Sequence, residues 1–264
     1  MSVKTDKRAK EILHLLLQDG KSSVDELIAK LGTSPASVRR DLTKLEQQGL
    51  VHRTHGGAML AGNGASSVYE PFRFDADFRE REDRFAAEKL RIAKAAAALV
   101  QDGETVGIAT GTTTTLVARQ LIHRKNLHII TNAVNIGMEL SSSARVQTTL
   151  TGGSLRWPGA FSLVGPAAIE SLATVVMDRL FVGATGVHPG RGAMVIQAEE
   201  AAVFRAMVRQ ARQCIVVADS SKLGHASPAV VCTVKEIGCL ITDNGVPEEL
   251  KRQFEAAGVK VTVV

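Results

Sequence analysis

Residues 1–48 have the apolar spacing of three short helices. The first helix is predicted over residues 6–18, with a wide apolar side. The second begins with a capping box, in which Ser23 and Glu26 precede an apolar run. The third begins at Ser34, which can cap free backbone N–H groups, followed by a proline that has no N–H to leave unpaired. The last two helices each have one apolar face, formed by Val24, Leu27, Ile28 and Leu31 and by Val38, Leu42 and Leu45.

The second and third helices are separated by a short turn that contains Gly32, which predicts a helix-turn-helix. The first helix would complete a small core. Gly49 is predicted to end the third helix, and residues 50–53 then form a short strand that runs into a turn at Gly56 and Gly57. A helix with small polar residues and arginines near its start, followed by a basic β-wing, fits the major groove of DNA.

Beyond residue 60 the pattern changes. Residues 61–67 are small, polar and glycine-containing, which predicts a linker. Residues 71–85 mix charges of both signs with four phenylalanines, and would form a helix across the next domain or at a subunit contact. The predicted domains are a DNA-binding domain over 1–60, a linker and connecting helix over 61–85, and a second domain over 86–264.

In the second domain an Ala-rich helix over residues 86–101 is followed by strands that alternate with helices. This alternation predicts an α/β fold with a mainly parallel sheet that is covered by helices on both faces. The predicted strands are residues 105–109, 128–131, 146–150, 179–182, 214–218, 239–242 and 259–263. The predicted helices between them are residues 114–122, 134–140, 165–173, 199–213 and 247–257.

Composition and apolar run lengths argue against a membrane protein and a secreted protein. Apolar residues make up 45% of the 264, no apolar run is long enough to span a membrane, and the N-terminus has no signal-peptide segment. We therefore expect a cytoplasmic protein without a membrane partner. The three cysteines, Cys214, Cys232 and Cys239, lack CxxC spacing and are predicted to be buried free thiols. Residues 1–60 carry 10 Lys and Arg against seven Asp and Glu, a small excess that suits an anionic partner there.

Hydroxyl- and glycine-rich loops follow five of the predicted strands, at the edge where open parallel sheets bind ligands. Glycines permit close backbone approach, hydroxyls donate hydrogen bonds and helix N-termini favour anions. One lysine adds a positive charge. Together the loops predict a pocket for a small, phosphorylated and hydroxyl-rich molecule. The residues assigned to it are Thr110, Gly111, Thr112, Thr113, Thr131, Asn132, Gly152, Gly153, Asp219 and Lys222.

The third helix and the wing supply the predicted DNA contacts. Ser37 and Arg40 are assigned to base edges, because residues early in a recognition helix lie deepest in the groove. Ser34, Lys44, Arg53 and His55 are assigned to phosphates. Asp41 would repel phosphate and is predicted to hold an arginine in place. The full DNA-binding set is Ser34, Pro35, Ser37, Arg39, Arg40, Lys44, Arg53 and His55.

The chain resembles the DeoR family of bacterial transcriptional regulators. The resemblance rests on Arg39-Arg40-Asp41-Leu42 and His55-Gly56-Gly57-Ala58 and their spacing. In the second domain it rests on Gly111-Thr112-Thr113, Thr131-Asn132, Thr151-Gly152-Gly153, Gly165, Glu200 and Asp219-Ser220-Ser221-Lys222-Leu223-Gly224.

The resemblance implies a winged helix-turn-helix joined to an effector domain that is similar in fold to sugar-phosphate isomerases. It implies a repressor of a carbohydrate-utilisation operon that binds double-stranded operator DNA as a homodimer or homotetramer and is released by a phosphorylated sugar. It also adds Glu200 to the predicted effector site. Ala109 and Thr185 stand where the family commonly has acidic residues, so either the effector or its hydroxyl contacts are expected to differ.

An alternative is a sugar-phosphate isomerase-like enzyme with an accessory DNA-binding head. Isomerisation needs a carboxylate that removes a proton beside a carbonyl, and the first loop contains none. The acids near the strand ends are Glu200, Asp219 and Asp243. No catalytic triad or metal-ligand spacing is present, so we predict binding without turnover, with no catalytic residue, metal or cofactor. A third interpretation is an activator or a constitutive DNA-binding protein with a vestigial pocket.

Overall fold

The computed structural model describes residues 8–9, 11–12, 15–16, 21–47, 51–54, 56–60, 76–156 and 160–264. The chain divides into two units, residues 1–70 and 71–264. The helices within the described ranges are too short or too polar to cross a membrane.

The first unit is a helix-turn-helix with a small sheet. Its helices are α1 (Val24–Leu31) and α2 (Pro35–Gln47), and residues 8–9, 11–12 and 15–16 are also helical. The strands are β1 (Lys21–Ser23), β2 (Val51–Thr54) and β3 (Gly57–Leu60), in the antiparallel order β1-β3-β2. The helix-turn-helix and the wing are confirmed, whereas β1 is not predicted by the sequence. The predicted helix end at Gly49 and the linker at 61–67 lie outside the described residues.

Local signals in the sequence explain where these helices begin and end. The predicted capping box is present: Ser23 Oγ accepts from the N–H of Glu26, and the Glu26 carboxylate accepts from the N–H of Ser23. Gly32 ends α1 in a left-handed conformation with φ of 58°, which costs glycine little. An eight-residue helix is marginal in isolation, so the unit depends on its core. That core comprises Ile12, Leu16, Leu27, Val38, Leu42, Leu45, Val51 and Ala58.

The second unit is built on a seven-stranded parallel sheet, which confirms the predicted α/β fold. Its strands, including those of two smaller sheets, are β4 (Thr105–Ile108), β5 (Leu127–Thr131), β6 (Val146–Leu150), β7 (Ser154–Arg156), β8 (Ser162–Val164), β9 (Arg179–Val182), β10 (Gly186–His188), β11 (Gly192–Val195), β12 (Cys214–Val217), β13 (Ala229–Cys232), β14 (Cys239–Thr242) and β15 (Lys260–Val263). Its α-helices are α3 (Ala76–Asp83), α4 (Ala86–Ala98), α5 (Thr112–Leu121), α6 (Val134–Leu140), α7 (Pro166–Leu172), α8 (Ala198–Arg209) and α9 (Glu248–Ala256).

The strand order of the large sheet is β15-β14-β12-β9-β4-β5-β6. The chain starts at β4, adds β5 and β6 on one side, and then returns to place β9 on the other side of β4. The gap between the ends of β4 and β9 is therefore the topological switch point, where sheets of this kind bind ligands. All seven predicted strands belong to this sheet. Two small antiparallel sheets, β7-β8 and β10-β11-β13, are additional, because the alternation of strands with helices on which the prediction rests does not extend to them.

Apolar side chains form a core on each face of the large sheet. Successive residues of a strand point to opposite faces, so Leu180 and Val182 pack with Phe204 while Phe181 packs with Ile92 on the other side. The three cysteines are free and buried, as predicted.

Helix α3 packs against the rest of the second unit. Phe78 is buried there and meets the ring of Phe161 edge-on, with the ring centroids 5.0 Å apart. Arg119 donates to Glu82 at 2.7 Å and to Glu139 at 2.7 and 2.9 Å. Of the two interpretations of residues 71–85, the packing of residues 76–85 agrees with a helix lying on the second domain. A subunit contact through this segment stays a prediction, and residues 71–75 lie outside the described ranges.

Candidate functional site: the exposed helix α2 and a cavity in the second unit

The start of α2 is fixed by serine side chains. The N–H of Ser37 donates to Ser34 Oγ at 3.3 Å, and the two hydroxyl groups are 2.9 Å apart. Ser34 therefore caps the helix as expected. Pro35 is the first helical residue, where its missing N–H removes no helix bond.

The cationic side chains of α2 are exposed. Arg39, Arg40 and Lys44 lie on the surface, and none of their side chains has a hydrogen-bond or ion-pair partner among the residues that the structure describes. Their charges are thus available to a partner molecule. Asp41, in contrast, is buried and accepts from Nε of Arg8 at 2.5 Å. The prediction that Asp41 holds an arginine is confirmed, and that arginine comes from the first helical residues rather than from α2.

The wing is tied to α2 through Arg53. Its backbone N–H donates to Glu46 at 3.2 Å, and its guanidinium donates to the hydroxyl of Thr43 at 3.4 Å. The Thr43 hydroxyl donates in turn to the carbonyl of Arg39 at 2.9 Å. Helix and wing therefore present their basic groups as one surface. His55, the remaining predicted contact, lies outside the described residues.

A cavity of about 530 Å³ lies in the second unit at the carboxyl ends of β4, β9 and β12. This is the switch point of the sheet, and the volume is in the range of pockets that hold small molecules. Seven of the eleven residues predicted for the effector site line it: Thr110, Gly111, Thr112, Thr113, Glu200, Asp219 and Lys222.

The other four predicted residues do not line the cavity. Asn132 Oδ1 accepts from the N–H and the hydroxyl of Thr110 at 3.0 and 3.2 Å, and so supports the first loop. The hydroxyl of Thr131 donates to the carbonyl of Ile108 at 2.6 Å. Gly152 and Gly153 follow β6 and pack against α7 and β8. The reason is topological: β5 and β6 lie on the side of β4 that faces away from β9.

At Gly153 the backbone requires glycine. Its φ is +116°, and a Cβ atom there would lie 2.4 Å from the carbonyl oxygen of Val164. The glycine thus allows the β7-β8 hairpin to return close to the sheet. One cavity-lining residue, Arg156, is carried by β7 of that hairpin.

The cavity is also lined by several charged residues that are not among those predicted from the sequence. They come from elements outside the strand ends and are Glu80, Arg81, Arg84, Lys89 and Arg156. With Glu200, Asp219 and Lys222 they make five basic and three acidic side chains. Arg156 pairs with Glu200 at 3.3 Å, and Ser162 also donates to Glu200 at 2.8 Å. The sequence does contain a sign that Lys89 is buried. It lies four residues before Ala93 and seven before Ala96, on the apolar face of α4.

Lys89 is buried although it carries an ammonium group. Its residue is 4% exposed, and its Nζ donates to the carbonyl oxygen of Arg81 near the end of α3. Burial lowers the pKa of Lys89, and the nearby carboxylate of Asp219 opposes this effect. Asp219 is 2% exposed and accepts from the hydroxyl of Ser221. The floor of the cavity thus combines Lys89, Asp219 and Lys222.

Asp243 positions the loop that carries Asp219 and Lys222. Its carboxylate accepts from the N–H of Ser220 at 2.6 Å, the hydroxyl of Ser220 at 2.8 Å and the N–H of Gly245 at 2.9 Å. Burial alone would raise the pKa of Asp243, but the hydrogen bonds from Ser220 and Gly245 outweigh it and hold the pKa below its usual value. Asp243, one of the three acids near the strand ends, is thus bonded to the loop that follows β12.

Replacement of Asp243 by asparagine is expected to destabilise the second unit by about 1–3 kcal/mol at pH 7, because either orientation of the amide turns an NH2 group towards a backbone N–H. The pKa of Asp243 is lower in the folded state than in the unfolded state. The extra stability of the wild type over this variant is therefore present above the unfolded-state pKa, and it is lost as the pH falls through the folded-state pKa. Urea unfolding from pH 7 down to pH 3 measures this difference. Glu255→Gln on α9 is the matched control, and an equal, pH-independent loss in both variants would contradict the prediction.

Of the two positions that depart from the family pattern, Thr185 lines the cavity and Ala109 does not. Ala109 is buried, and the Thr185 hydroxyl lies 2.9 Å from that of Ser227 in the cavity wall. Within the described residues no group of three or more His, Cys, Asp or Glu side chains is arranged to hold a metal ion.

A winged helix-turn-helix followed by an α/β unit with a cavity at its switch point is the architecture of a two-unit DNA-binding regulator. Residues 8–63 match the DeoR-like helix-turn-helix domain, and residues 84–244 match the DeoR C terminal sensor domain. The chain belongs to the DeoR family, and it is a transcription regulator rather than an enzyme.

Relatives match the chain over nearly its whole length. It is 33% identical to the HTH-type transcriptional repressor CsqR of Escherichia coli K12, over 96% of this chain and 94% of that protein. It is 30% identical to the glycerol-3-phosphate regulon repressor of the same strain, over 91% of this chain and 92% of that protein. Among solved structures, ribose 5-phosphate isomerase A of Methanocaldococcus jannaschii is 22% identical over 53% of this chain and 55% of that chain, with a TM-score of 0.38.

Proposed function

We propose that the protein is a transcriptional repressor that releases its operator when a phosphorylated sugar or polyol binds the cavity. The observation that carries this proposal is the joint placement of hydroxyl groups, a helix N-terminus and a surplus of basic side chains around one cavity at the switch point. A sugar phosphate offers the matching groups: hydroxyls at one end and an anion at the other.

The start of α5 supports an anion in the cavity. The hydroxyls of Thr114 and Thr115 are used within the turn, since both donate to the carbonyl of Gly111 at 2.9 and 2.8 Å. The hydroxyls of Thr112 and Thr113 have no protein partner in the described ranges, and both residues line the cavity. The first N–H groups of a helix also lack intrahelical acceptors, and the helix dipole favours negative charge there.

The relatives support the same class of effector and the same direction of control. CsqR carries the name of a repressor, and the glycerol-3-phosphate regulon repressor names a phosphorylated polyol. By analogy, operator binding would involve a homodimer or homotetramer, because a helix-turn-helix dimer reads two half-sites about one helical turn apart.

The test uses the full chain and DNA fragments enriched by it from a random-sequence pool. Operator binding is measured with glycerol 3-phosphate, ribose 5-phosphate, fructose 6-phosphate, glucosamine 6-phosphate and the unphosphorylated sugars as controls. We expect at least one phosphorylated compound to raise Tm and weaken operator binding, with no conversion of the compound. Enrichment of no DNA sequence, or isomerisation of the compound, would overturn the proposal; so would operator binding that no phosphorylated compound changes.

The double variant Thr112→Val/Thr113→Val is expected to lower affinity for the active phosphorylated compound at least tenfold, because two hydroxyl donors are removed and the shape is kept. Operator binding in the absence of that compound should stay at the wild-type level. Calorimetric titration measures the first effect and operator titration the second. Thr174→Val, an exposed threonine outside the cavity, is the control. Equal effector affinity in the double variant and the control would remove these hydroxyls from the site.

A further inference from the structure

Arg84 lines the cavity and carries a charge that the fold does not use. Its side chain is exposed, and its guanidinium has no hydrogen-bond or ion-pair partner among the residues that the structure describes. Glu80 lies one helical turn earlier and also lines the cavity, but within the described contacts no ion pair joins these two side chains. The N–H donors of the Arg84 guanidinium are therefore available to a ligand.

The other two acidic side chains of the cavity lining are already bonded within the protein. Glu200 pairs with Arg156 at 3.3 Å. Asp219 accepts from the hydroxyl of Ser221 and is almost fully buried on the cavity floor, whereas Arg84 is exposed. The positive charge of Arg84 therefore lies in a different part of the cavity from the charges on the floor, and the lining supplies no carboxylate that pairs with it.

The ring of Phe85 helps to hold the guanidinium of Arg84 in place. Cζ of Arg84 lies 5.5 Å from the ring centroid, within the range of a cation–π contact. The backbone of Phe85 is left-handed with φ of 58°, which is uncommon for a bulky side chain, and residues held in this way are concentrated at ligand sites. The stack covers one face of the guanidinium and leaves its edge, which carries the N–H donors, uncovered.

The turn that carries Arg84 is fixed on both sides. On the α3 side, Glu82 pairs with Arg119 at 2.7 Å. On the α4 side, the carbonyl of Phe85 accepts from the N–H of Lys89 at 3.0 Å. A cation on a fixed turn has less freedom to lose when it binds a ligand, so less of the interaction energy is spent on ordering the protein.

We propose that Arg84 binds a second anionic group of the effector, a carboxylate, so that the effector is a phosphorylated sugar acid. This inference rests on the proposed function of the cavity. The edge of a guanidinium pairs bidentately with the two oxygens of a carboxylate. The phosphate of the same molecule lies at the start of α5, and a cavity of about 530 Å³ has room for both groups on one sugar chain. The uncharged Thr185 in the cavity wall adds no negative charge that would repel a second anion.

The first experiment compares two phosphorylated compounds that differ in one group: a carboxylate in 6-phosphogluconate replaces a hydroxymethyl group in glucitol 6-phosphate. In calorimetric titrations of the full chain, we expect the wild type to bind 6-phosphogluconate about tenfold more tightly or better. Arg84→Met should lose this preference and keep the wild-type affinity for glucitol 6-phosphate, whereas Arg84→Lys should keep part of the preference. A wild type without the preference, or an Arg84→Met protein that retains it, would overturn the inference.

The second experiment separates a binding role from a structural one. Arg145→Met, an exposed arginine outside the cavity, is the matched control and should show the wild-type preference. Without ligand, the Tm of Arg84→Met should equal that of the control, because the Arg84 side chain makes no hydrogen bond or ion pair in the described part of the fold. A lowered Tm of Arg84→Met together with an equal loss of affinity for both compounds would refute the proposal.

Fructose 1,6-bisphosphate tests the chemistry of the second anion. We expect Arg84→Met to bind it with nearly the wild-type affinity. If Arg84 strengthens the binding of the bisphosphate and not that of 6-phosphogluconate, the second anion is a phosphate and the assignment of a sugar acid is refuted.

The failures of the two proposals are distinguishable. If phosphorylated sugars release the wild type and Arg84→Met from DNA equally and a carboxylate adds no affinity, the role of Arg84 is refuted and the sensor function stands. If no phosphorylated compound, 6-phosphogluconate included, changes operator binding by the wild type, both are refuted together.

Discussion

Replacement of Arg8 by methionine is expected to destabilise the first unit by about 3–5 kcal/mol and to abolish operator binding at 37 °C. The side chain of Asp41 is fully buried, and Nε of Arg8 lies 2.5 Å from one of its oxygens. The other oxygen, Oδ1, has no hydrogen-bond partner among the described residues. Without Arg8 the carboxylate would be left buried and uncompensated. The loss is comparable to the whole stability of many small domains.

Urea unfolding of the full chain, followed by hydrogen exchange in each unit, measures this effect and locates it. The second unit should keep its wild-type midpoint. The double variant Arg8→Met/Asp41→Leu is the matched control: it removes both charges, and it should recover most of the stability because no charge remains buried. A single variant as stable as the wild type, or a double variant as unstable as the single one, would contradict the assignment of this pair.

Replacement of Arg40 by alanine is expected to weaken operator binding by about 1–3 kcal/mol and to relax the preference at one base pair. Arg40 is exposed on α2, close to its capped start, and it has no partner within the described part of the chain. A guanidinium in this position can pair bidentately with a guanine edge in the major groove. Stability should be unchanged, because the side chain supports no contact in the fold.

Selection from random DNA, followed by titration of the preferred fragments at several salt concentrations, tests the Arg40 prediction. Lys44→Ala provides the contrast, since loss of a phosphate contact weakens binding to all sequences alike and reduces the salt dependence. Arg91→Ala, an exposed arginine of α4 in the second unit, is the neutral control. An Arg40→Ala protein with wild-type affinity and an unchanged base preference would show that Arg40 does not read a base.

The sequence predicts the main elements of this fold because short apolar runs alternate with helical spacing and are separated by turn residues. The seven core strands and the helices of the helix-turn-helix follow from apolar spacing, and Val38, Leu42 and Leu45 are buried as that spacing requires. Strand β1 and the β7-β8 hairpin have three-residue strands, so no periodicity marks them. Their existence depends on partners that are distant in the sequence.

The sequence predicts some of the residues that line the cavity, but it does not show which strands are neighbours in the sheet. The loops after β4 and β12 line it because those strands lie at or beside the switch point, whereas Thr131, Asn132, Gly152 and Gly153 do not. Strand order decides between the two groups, and periodicity contains no information about strand order. The arginine held by Asp41 was likewise predicted as a residue type, but only the packing of the first helical residues against α2 identifies it as Arg8.

The elements that contribute to the cavity divide its chemistry between them. Strand ends and the start of α5 supply glycines and hydroxyls, whereas Arg81, Arg84, Lys89 and Arg156 come from α3, the turn after it, α4 and the β7-β8 hairpin. These peripheral pieces can change in sequence without disturbing the hydrogen-bonded ladder of the large sheet. Exchange of residues 76–89 between relatives is therefore expected to change which ligand the proposed sensor prefers while the scaffold of the large sheet is kept.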